Sequence, residues 1–445
     1  MPTTTSPCSL TLRGVCWQAH LSQQRRQQHH TKPIILGRNP LKQQRACSRR
    51  QALSASSVAS MTEVSTPHSG YHYNGAKRRF FEGWYFKVTL PGEGQSFAWM
   101  YSIEDPAGDS KFRGCGAQVM GPDKAYLVQH TDNTRIFWAD RHELVLGACF
   151  KGKTGAIPRQ LLDGDRFTRT VEQGYQAALT WHQGSLESDD STAAGELPPT
   201  VKSVKWAYST RPIYGWGDTG TDQKSTAGWL AAMPVFEPHW QVLMAHGLST
   251  GWIECDGKRY DFHDAPSYSE KNWGGRFPSK WWWVVCNTFD SPDVALTTVG
   301  ARRGILNIPG VEEDVGLIGI HWQGKFIELV PWNSTVSWEI APWGQWKAWA
   351  KGESYEACVE ATAGPDDGTV RLQLWRLDKH GQREGSPVLD TSSTSGALET
   401  GGGPWPATWE AQAKMQQPLK SIVQIPIDVR GIAEALPGNV LPPGL

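Results

Sequence analysis

The sequence predicts an all-β protein, two antiparallel β-domains in tandem behind a leader that does not fold with them. Three observations carry this reading. The 445 residues include 46 Gly, 29 Pro and 23 Trp but only 7 Met; Gly and Pro punctuate strands, and aromatic side chains favour pleated, half-buried surfaces. Short alternating segments recur at strand spacing with turn signals between them, as in a sandwich or barrel. The length is also more than one ordinary core takes, so two or more domains are expected.

Residues 1–60 contain nine Lys or Arg and no Asp or Glu, with abundant Ser, Thr and Gln. An acid-free, Arg- and Ser-rich N terminus without the apolar core of a secretory signal fits a disordered organelle transit peptide, and the early Thr3–Pro7 stretch favours a plastid. Without this leader 35 basic residues face 44 acidic ones, a net charge of about −9. With no basic block after Arg79, nucleic acid is excluded as a partner. Cys115, Cys149, Cys255, Cys286 and Cys358 are odd in number and scattered, so they read as reduced structural thiols. The histidines outside the leader lack metal-ligand spacing, and neither a metal nor a cofactor is expected. No apolar run is long enough to span a bilayer, so membrane contact would be peripheral.

The folded part begins near Thr66. Strands are expected at Phe80–Leu90, Ser96–Ile103, Ala125–His130, Arg135–Ala139, His142–Phe150 and Tyr175–His182, and the polar, acidic stretch from Gly184 to Thr200 reads as a solvated loop. A second set covers Gln241–His246, Gly251–Cys255, Trp281–Phe289, Gly316–Trp322, Lys325–Leu329, Val336–Ile340, Glu353–Thr362 and Thr369–Leu377. Residues 381–408, rich in Gly, Ser, Thr and Pro, are expected to be a mobile insertion. A short helix is expected at Ala411–Gln416 and a closing strand at Ile422–Val429. The first domain is therefore drawn at 66–245 and the second at 246–445. The aromatic strand at Phe81–Phe86 has an echo in Lys280–Val284, as two related domains facing a shared pocket would give.

Two familiar patterns fail on context. Gly215–Gly220 fits a dinucleotide fingerprint but follows Pro212 and opens no helix. Gly247-Leu248-Ser249-Thr250-Gly251 fits a nucleophile elbow but lies between strands.

What survives is a set of acids beside aromatic rings. On a strand Glu82, Trp84 and Phe86 share one face. A carboxyl group desolvated there keeps its proton to higher pH, as a general acid must; the alternative is a strand-edge carboxylate paired with Arg78, Arg79 or Lys87. Glu270-Lys271-Asn272-Trp273, expected in a loop, follows Tyr260, Asp261, His263, Asp264 and Tyr268, a density of titratable groups typical of active sites. Its alternative is a solvated hinge with a Glu–Lys surface pair. Trp281 and Trp283 lie on the opposite face from Trp282, so one face can line a pocket while the other packs in a core. A proton donor beside indoles suits protonation of a carbon–carbon double bond, because π-faces attract a cation without attacking it.

At these residues the chain resembles the tocopherol cyclase family of plants and algae. The likeness runs from Thr66–His72 through Arg78–Lys87, Ser96–Glu104 and Glu270–Asn287 to Trp332 and Trp338. More distantly, the Trp84-Tyr85-Phe86 strand and Lys271-Asn272-Trp273-Gly274 resemble carotenoid hydratases, whose fold is a pair of lipocalin-like antiparallel β-barrels. The resemblance implies two such barrels in tandem, chloroplast targeting and association with plastoglobules or the thylakoid surface. It also implies cofactor-free closure of the chromanol ring of 2-methyl-6-phytyl and 2,3-dimethyl-5-phytyl benzoquinols. The residues themselves suggest the roles. Glu270 or Glu82 would be the acid, Asp264 or His263 the phenol base, Asn272 and Tyr85 the hydroquinone partners, and Trp84, Trp273, Trp281 and Trp283 the cation-facing wall. A carrier that binds prenylquinones without transforming them needs only an apolar cavity, whereas a cyclase needs a buried titratable group over the tail. A hydratase adding water to the same alkene is a third reading.

Overall fold

A computed structural model describes residues 66–415 and 420, apart from 91, 109, 154, 156–157, 189–197, 218–222, 227, 229–237, 305–311 and 364–367. The leader at 1–60 and the expected strand at Ile422–Val429 lie outside the described residues. The protein is built from two curled antiparallel sheets, the all-β architecture the composition predicts.

The first sheet holds β1 (Phe81–Thr89), β2 (Ser96–Glu104), β3 (Gly114–Gly121), β4 (Ala125–Thr131), β5 (Phe137–Ala139), β6 (Val145–Gly152), β7 (Val171–Ala178), β8 (Trp181–Glu187), β9 (Ser203–Tyr214), β10 (His239–Cys255) and β11 (Lys258–Gly274). A short helix, α1 (Gly164–Thr170), precedes β7 and is capped by the Asp163 side chain, which accepts from the Arg166 N–H. The second sheet holds β12 (Lys280–Cys286), β13 (Val294–Gly304), β14 (Glu312–Trp322), β15 (Lys325–Leu329), β16 (Thr335–Ile340), β17 (Gln345–Lys351), β18 (Tyr355–Ala363), β19 (Gly368–Arg376), β20 (Leu389–Gly402) and β21 (Trp409–Ala413).

The strand orders are 4-3-2-1-11-10-9-8-7-6-5 and 15-14-13-12-20-19-18-17-16-21. In both, the first strand is clasped between its hairpin partner and a strand from late in that sheet's stretch of chain, β11 or β20. The echo between Phe81–Phe86 and Lys280–Val284 thus falls on β1 and β12, which hold equivalent positions.

Each sheet curls around its own core. Trp84, Phe86, Trp99, Tyr101, Tyr175 and Trp206 fill the first; Trp282, Val284, Ile318, Trp338, Leu372 and Trp409 fill the second. A third apolar cluster joins the outer faces. Tyr85, Met100, Trp216, Val242 and Tyr268 of the first sheet meet Trp283, Val285, Leu317 and Val330 of the second. All seven residues of β12 are buried, which is why this strand reads as a continuous apolar run rather than an alternation.

Several expected boundaries move. The division at 245/246 falls inside β10, whose pairing with both β9 and β11 keeps it in the first sheet; sheet membership changes between Gly274 and Lys280. Residues 389–402, expected within a mobile insertion, form β20 between β12 and β19. Thr391 and Ser393 are buried there at alternate positions, so small polar residues serve as a strand. Ala411–Gln416, expected as a helix, opens with the end of β21, whose Trp409 and Ala413 are buried at period four along a strand pairing with β16. The expected loop at Gly184–Thr200 begins with the second half of β8.

Candidate active site

β1 and β11 lie side by side, with Tyr85 opposite Glu270 and Trp84 opposite Lys271. The Glu270–Trp273 segment is therefore the end of a 17-residue strand and not a loop. Successive residues of a strand point to opposite faces, so the candidate residues separate into two clusters, one inside the first core and one at the seam between the sheets.

The inner cluster centres on Glu82. Its carboxylate is in contact with the Lys271 ammonium, and both side chains are shut off from solvent. Lys271 Nζ also donates to the Gly70 carbonyl at 2.6 Å, and Glu82 Oε2 accepts from the His72 N–H at 2.9 Å. Trp273 stacks on the His72 ring with centroids 4.0 Å apart. Lys271 Nζ sits 5.2 Å from the Trp273 ring centroid and 5.5 Å from that of Trp84. Burial raises the Glu82 carboxyl while the Lys271 charge opposes it; burial lowers Lys271 while Glu82 opposes that. Glu82 is thus committed to Lys271 and to the Gly70–His72 segment, not to Arg78, Arg79 or Lys87. Such a pair is costly to break, because the survivor is left as an uncompensated buried charge.

The seam cluster centres on Glu270. Its Oε2 accepts from the Tyr268 hydroxyl at 2.7 Å and from the Trp283 indole at 2.9 Å. Burial pushes its carboxyl up to about 7, outweighing the hydrogen bonds from Tyr268, Trp283, Trp240 and Asn272 that pull it down. Tyr85 meets the Trp283 ring edge-on at 5.3 Å. Its phenol is raised well above the usual range by burial, then by Glu270 and Glu399. Glu399 on β20 pairs across the sheet with Trp283 and accepts from the Trp281 indole at 3.0 Å. Burial, reinforced by the Glu270 charge, holds its carboxyl well above the ordinary range. Gly401, opposite Trp281, has no room for a Cβ beneath the indole, so the glycine lets that ring lie across β20.

A small, partly enclosed cleft lies on this face, lined by Phe81, Tyr85, Met100, Asn272 and Phe277 among others. Phe277 stacks on Phe81 at 4.4 Å and lies 5.6 Å from Trp281. Through Phe277 the cleft reaches the Trp281 ring, and through Tyr85 it reaches the Trp283 ring.

Of the sequence candidates, Glu270, Tyr85, Asn272, Trp281 and Trp283 come together at the seam, whereas Glu82, Trp84 and Trp273 form the inner cluster. His263 and Asp264 join neither. They pair with each other at 3.3 Å, with side chains 80% and 49% exposed, and Asp264 also lies 3.7 Å from Arg211. The density of titratable groups before Glu270 is spread along β11, and six residues of strand separate Asp264 from Glu270 by roughly 20 Å. Sequence reasoning missed Glu399, hidden in a Ser/Thr/Gly-rich run, and Lys271 as the partner of Glu82. Parity along β1 and β11 was the signal available for the second.

This arrangement suits acid chemistry on an apolar substrate. A carboxyl group near 7 is part protonated at neutral pH, which is the poise of a general acid, and the surrounding rings give a dry cation-tolerant wall.

Among solved structures, kievitone hydratase from Nectria haematococca is similar, with a TM-score of 0.39 at 10% identity over 77% of this chain and 94% of that one. The "Probable tocopherol cyclase, chloroplastic" of Oryza sativa subsp. japonica is 44% identical over 403 residues, covering 82% of this chain and 85% of the relative. The "Tocopherol cyclase, chloroplastic" of Zea mays is 44% identical over 417 residues, covering 85% and 86%. The model of tocopherol cyclase-like proteins matches residues 78–369. The chain belongs to the tocopherol cyclase-like family.

Proposed function

We propose that the protein is a tocopherol cyclase of the chloroplast that closes the chromanol ring of phytyl-benzoquinols at the seam between its sheets. The observation that carries this reading is Glu270, a buried carboxyl poised near 7 and held by Tyr268 and Trp283 beside an aromatic cleft. A binding cavity alone would have no use for such a group.

In the proposed reaction the Glu270 O–H bond breaks and its proton adds to the less substituted alkene carbon. The more substituted carbon becomes a tertiary cation, facing Trp281, Trp283 and Tyr85. A lone pair of the neighbouring phenol oxygen closes the six-membered ring, and the oxonium then releases its proton. Atoms are conserved and nothing is oxidised, so the reaction is an isomerisation, of the intramolecular lyase class, that calls for no cofactor. Water must be excluded or the cation would be hydrated, which the apolar cluster around Tyr85 and Trp283 supports. Tyr85, kept neutral, and Asn272 border the cleft as hydrogen-bonding partners for the quinol head. The 2-methyl-6-phytyl and 2,3-dimethyl-5-phytyl quinols are the proposed substrates, met at a plastoglobule or thylakoid surface.

Incubating the purified protein with either quinol and analysing the product by mass and chromatography tests the reading. An isomeric chromanol is expected. Unchanged quinol recovered bound to the protein would establish a carrier instead, and a mass gain of one water would establish a hydratase.

A further inference from the structure

We infer that Glu399 is a second working carboxyl group of this site, which takes up the proton released at ring closure and restores Glu270. The inference rests on the cyclase reading and supplies the step that His263 and Asp264 are too exposed and remote to perform.

Three features place Glu399 there. It is buried, with 7% of its surface exposed. It projects from β20 onto the face of β12 that meets the first sheet, opposite Trp283, the residue whose indole holds Glu270. Its own oxygen is held by Trp281, two residues along the same strand. Trp281 and Trp283 therefore present one carboxyl each to a common aromatic wall, and the Tyr85 hydroxyl feels both. A lone buried acid with a single indole donor adds nothing to stability, since burying a carboxyl group is costly. Two carboxyls in one dry site repel as anions, so one is kept protonated beside the other.

A protonated carboxyl group still accepts at its carbonyl oxygen while donating from its hydroxyl. After ring closure the oxonium O–H bond breaks and its proton goes to the Glu399 carbonyl oxygen. The Glu399 O–H bond breaks in turn, and that proton passes to the Glu270 carboxylate, directly or through the Tyr85 hydroxyl. Both acids return to their starting states, with no net proton taken from solvent and no electron transfer.

The test is rapid-mix kinetics on the full-length wild type and E399Q with a phytyl-benzoquinol. Glutamine keeps a carbonyl oxygen that accepts from the Trp281 indole and can still take up the proton of the strongly acidic oxonium, but it has no O–H to hand on to the Glu270 carboxylate, so the first release is spared and the return of the proton is not. E399Q should keep KM within about threefold and release about one chromanol per protein at the wild-type rate. It should then slow at least tenfold, because only the return of the proton is impaired. A wild-type steady state in E399Q, or a first turnover slowed as much as later ones, overturns the inference, the second outcome marking a merely structural role. Should E399Q fail to fold, E399D is measured instead, and the same burst is expected with a faster second phase. A wild type that makes no chromanol at all would refute the cyclase reading itself, whatever the variants do.

Discussion

Replacing Glu270 with Gln should abolish ring closure and also erase a pH dependence of stability that the acid itself imposes. The Glu270 carboxyl is raised from 4.5 to about 7 in the folded protein. Between those values the folded state holds a proton that the unfolded chain has released, so stability is greatest at low pH and falls as pH rises through 7. For a single site the loss from pH 5 to pH 8 is RT ln[(1 + 10^(7−pH))/(1 + 10^(4.5−pH))] taken between the two limits, about 2.5 kcal/mol. E270Q has no such proton to lose. Urea unfolding of both proteins at pH 5 and pH 8 should show the variant gaining about 2.5 kcal/mol relative to wild type between the two conditions. The buried histidines and the inner Glu82–Lys271 pair titrate in both proteins and largely cancel in this difference, while Glu399, relieved of the Glu270 charge in the variant, adds to it with the same sign. An E270Q that kept the wild-type pH slope would mean that Glu270 is not the buried acid described. An E270Q that kept near-normal turnover would remove it from the chemistry.

Three further perturbations probe the seam and the inner pair. Trp283→Phe keeps a ring but removes a donor to Glu270. A hydrogen bond to a charged group is worth roughly 1.5–3 kcal/mol, so the alkaline limb of the kcat–pH profile should move up by about one to two pH units; an unmoved limb refutes the hydrogen-bond argument. Lys271→Met leaves Glu82 buried without its cation and should cost about 3–5 kcal/mol in urea unfolding, with most of the loss recovered in the double variant that adds Glu82→Gln. Gly401→Ala puts a methyl group into the Trp281 ring and should cost roughly 1–3 kcal/mol. Its steady-state turnover should also fall, because the displaced indole no longer holds Glu399; a variant with wild-type stability and rate would show that the close approach is not needed.

The strand-level alternation was legible in the sequence. Trp282 packs in the second core while Trp283 faces the first sheet, as the parity of β12 requires, and Glu82, Trp84 and Phe86 share one face as expected. What could not be read was which face of β1 looks towards the other sheet. That depends on the clasp of β1 against β11, a pairing of residues almost two hundred positions apart. Without it, Glu270 and Trp273 look like neighbours in one loop, when the register sends them to opposite sides of the sheet. Glu399 was hidden for a different reason. The glycines of this run disfavour a strand and offset the threonines that favour one, so the partner strands β12 and β19 decide that residues 389–402 are extended.

The seam explains why part of the acid's support comes from the other sheet. Glu270 belongs to the first, but Trp283, which donates to it, and Glu399, whose carboxyl its charge raises, belong to the second. Desolvation is the largest cause of the raised carboxyl, and each sheet alone would leave one side of Glu270 open to water. Solvation of that side favours the ionised form and returns the group towards an ordinary carboxyl, which holds no proton at neutral pH. Closure of the two sheets therefore does two things at once: it keeps the proton on the acid and keeps water from the cation that the proton creates. A perturbation that loosens the cluster of Tyr85, Val242, Val285 and Leu317 should disable the acid before it unfolds either sheet.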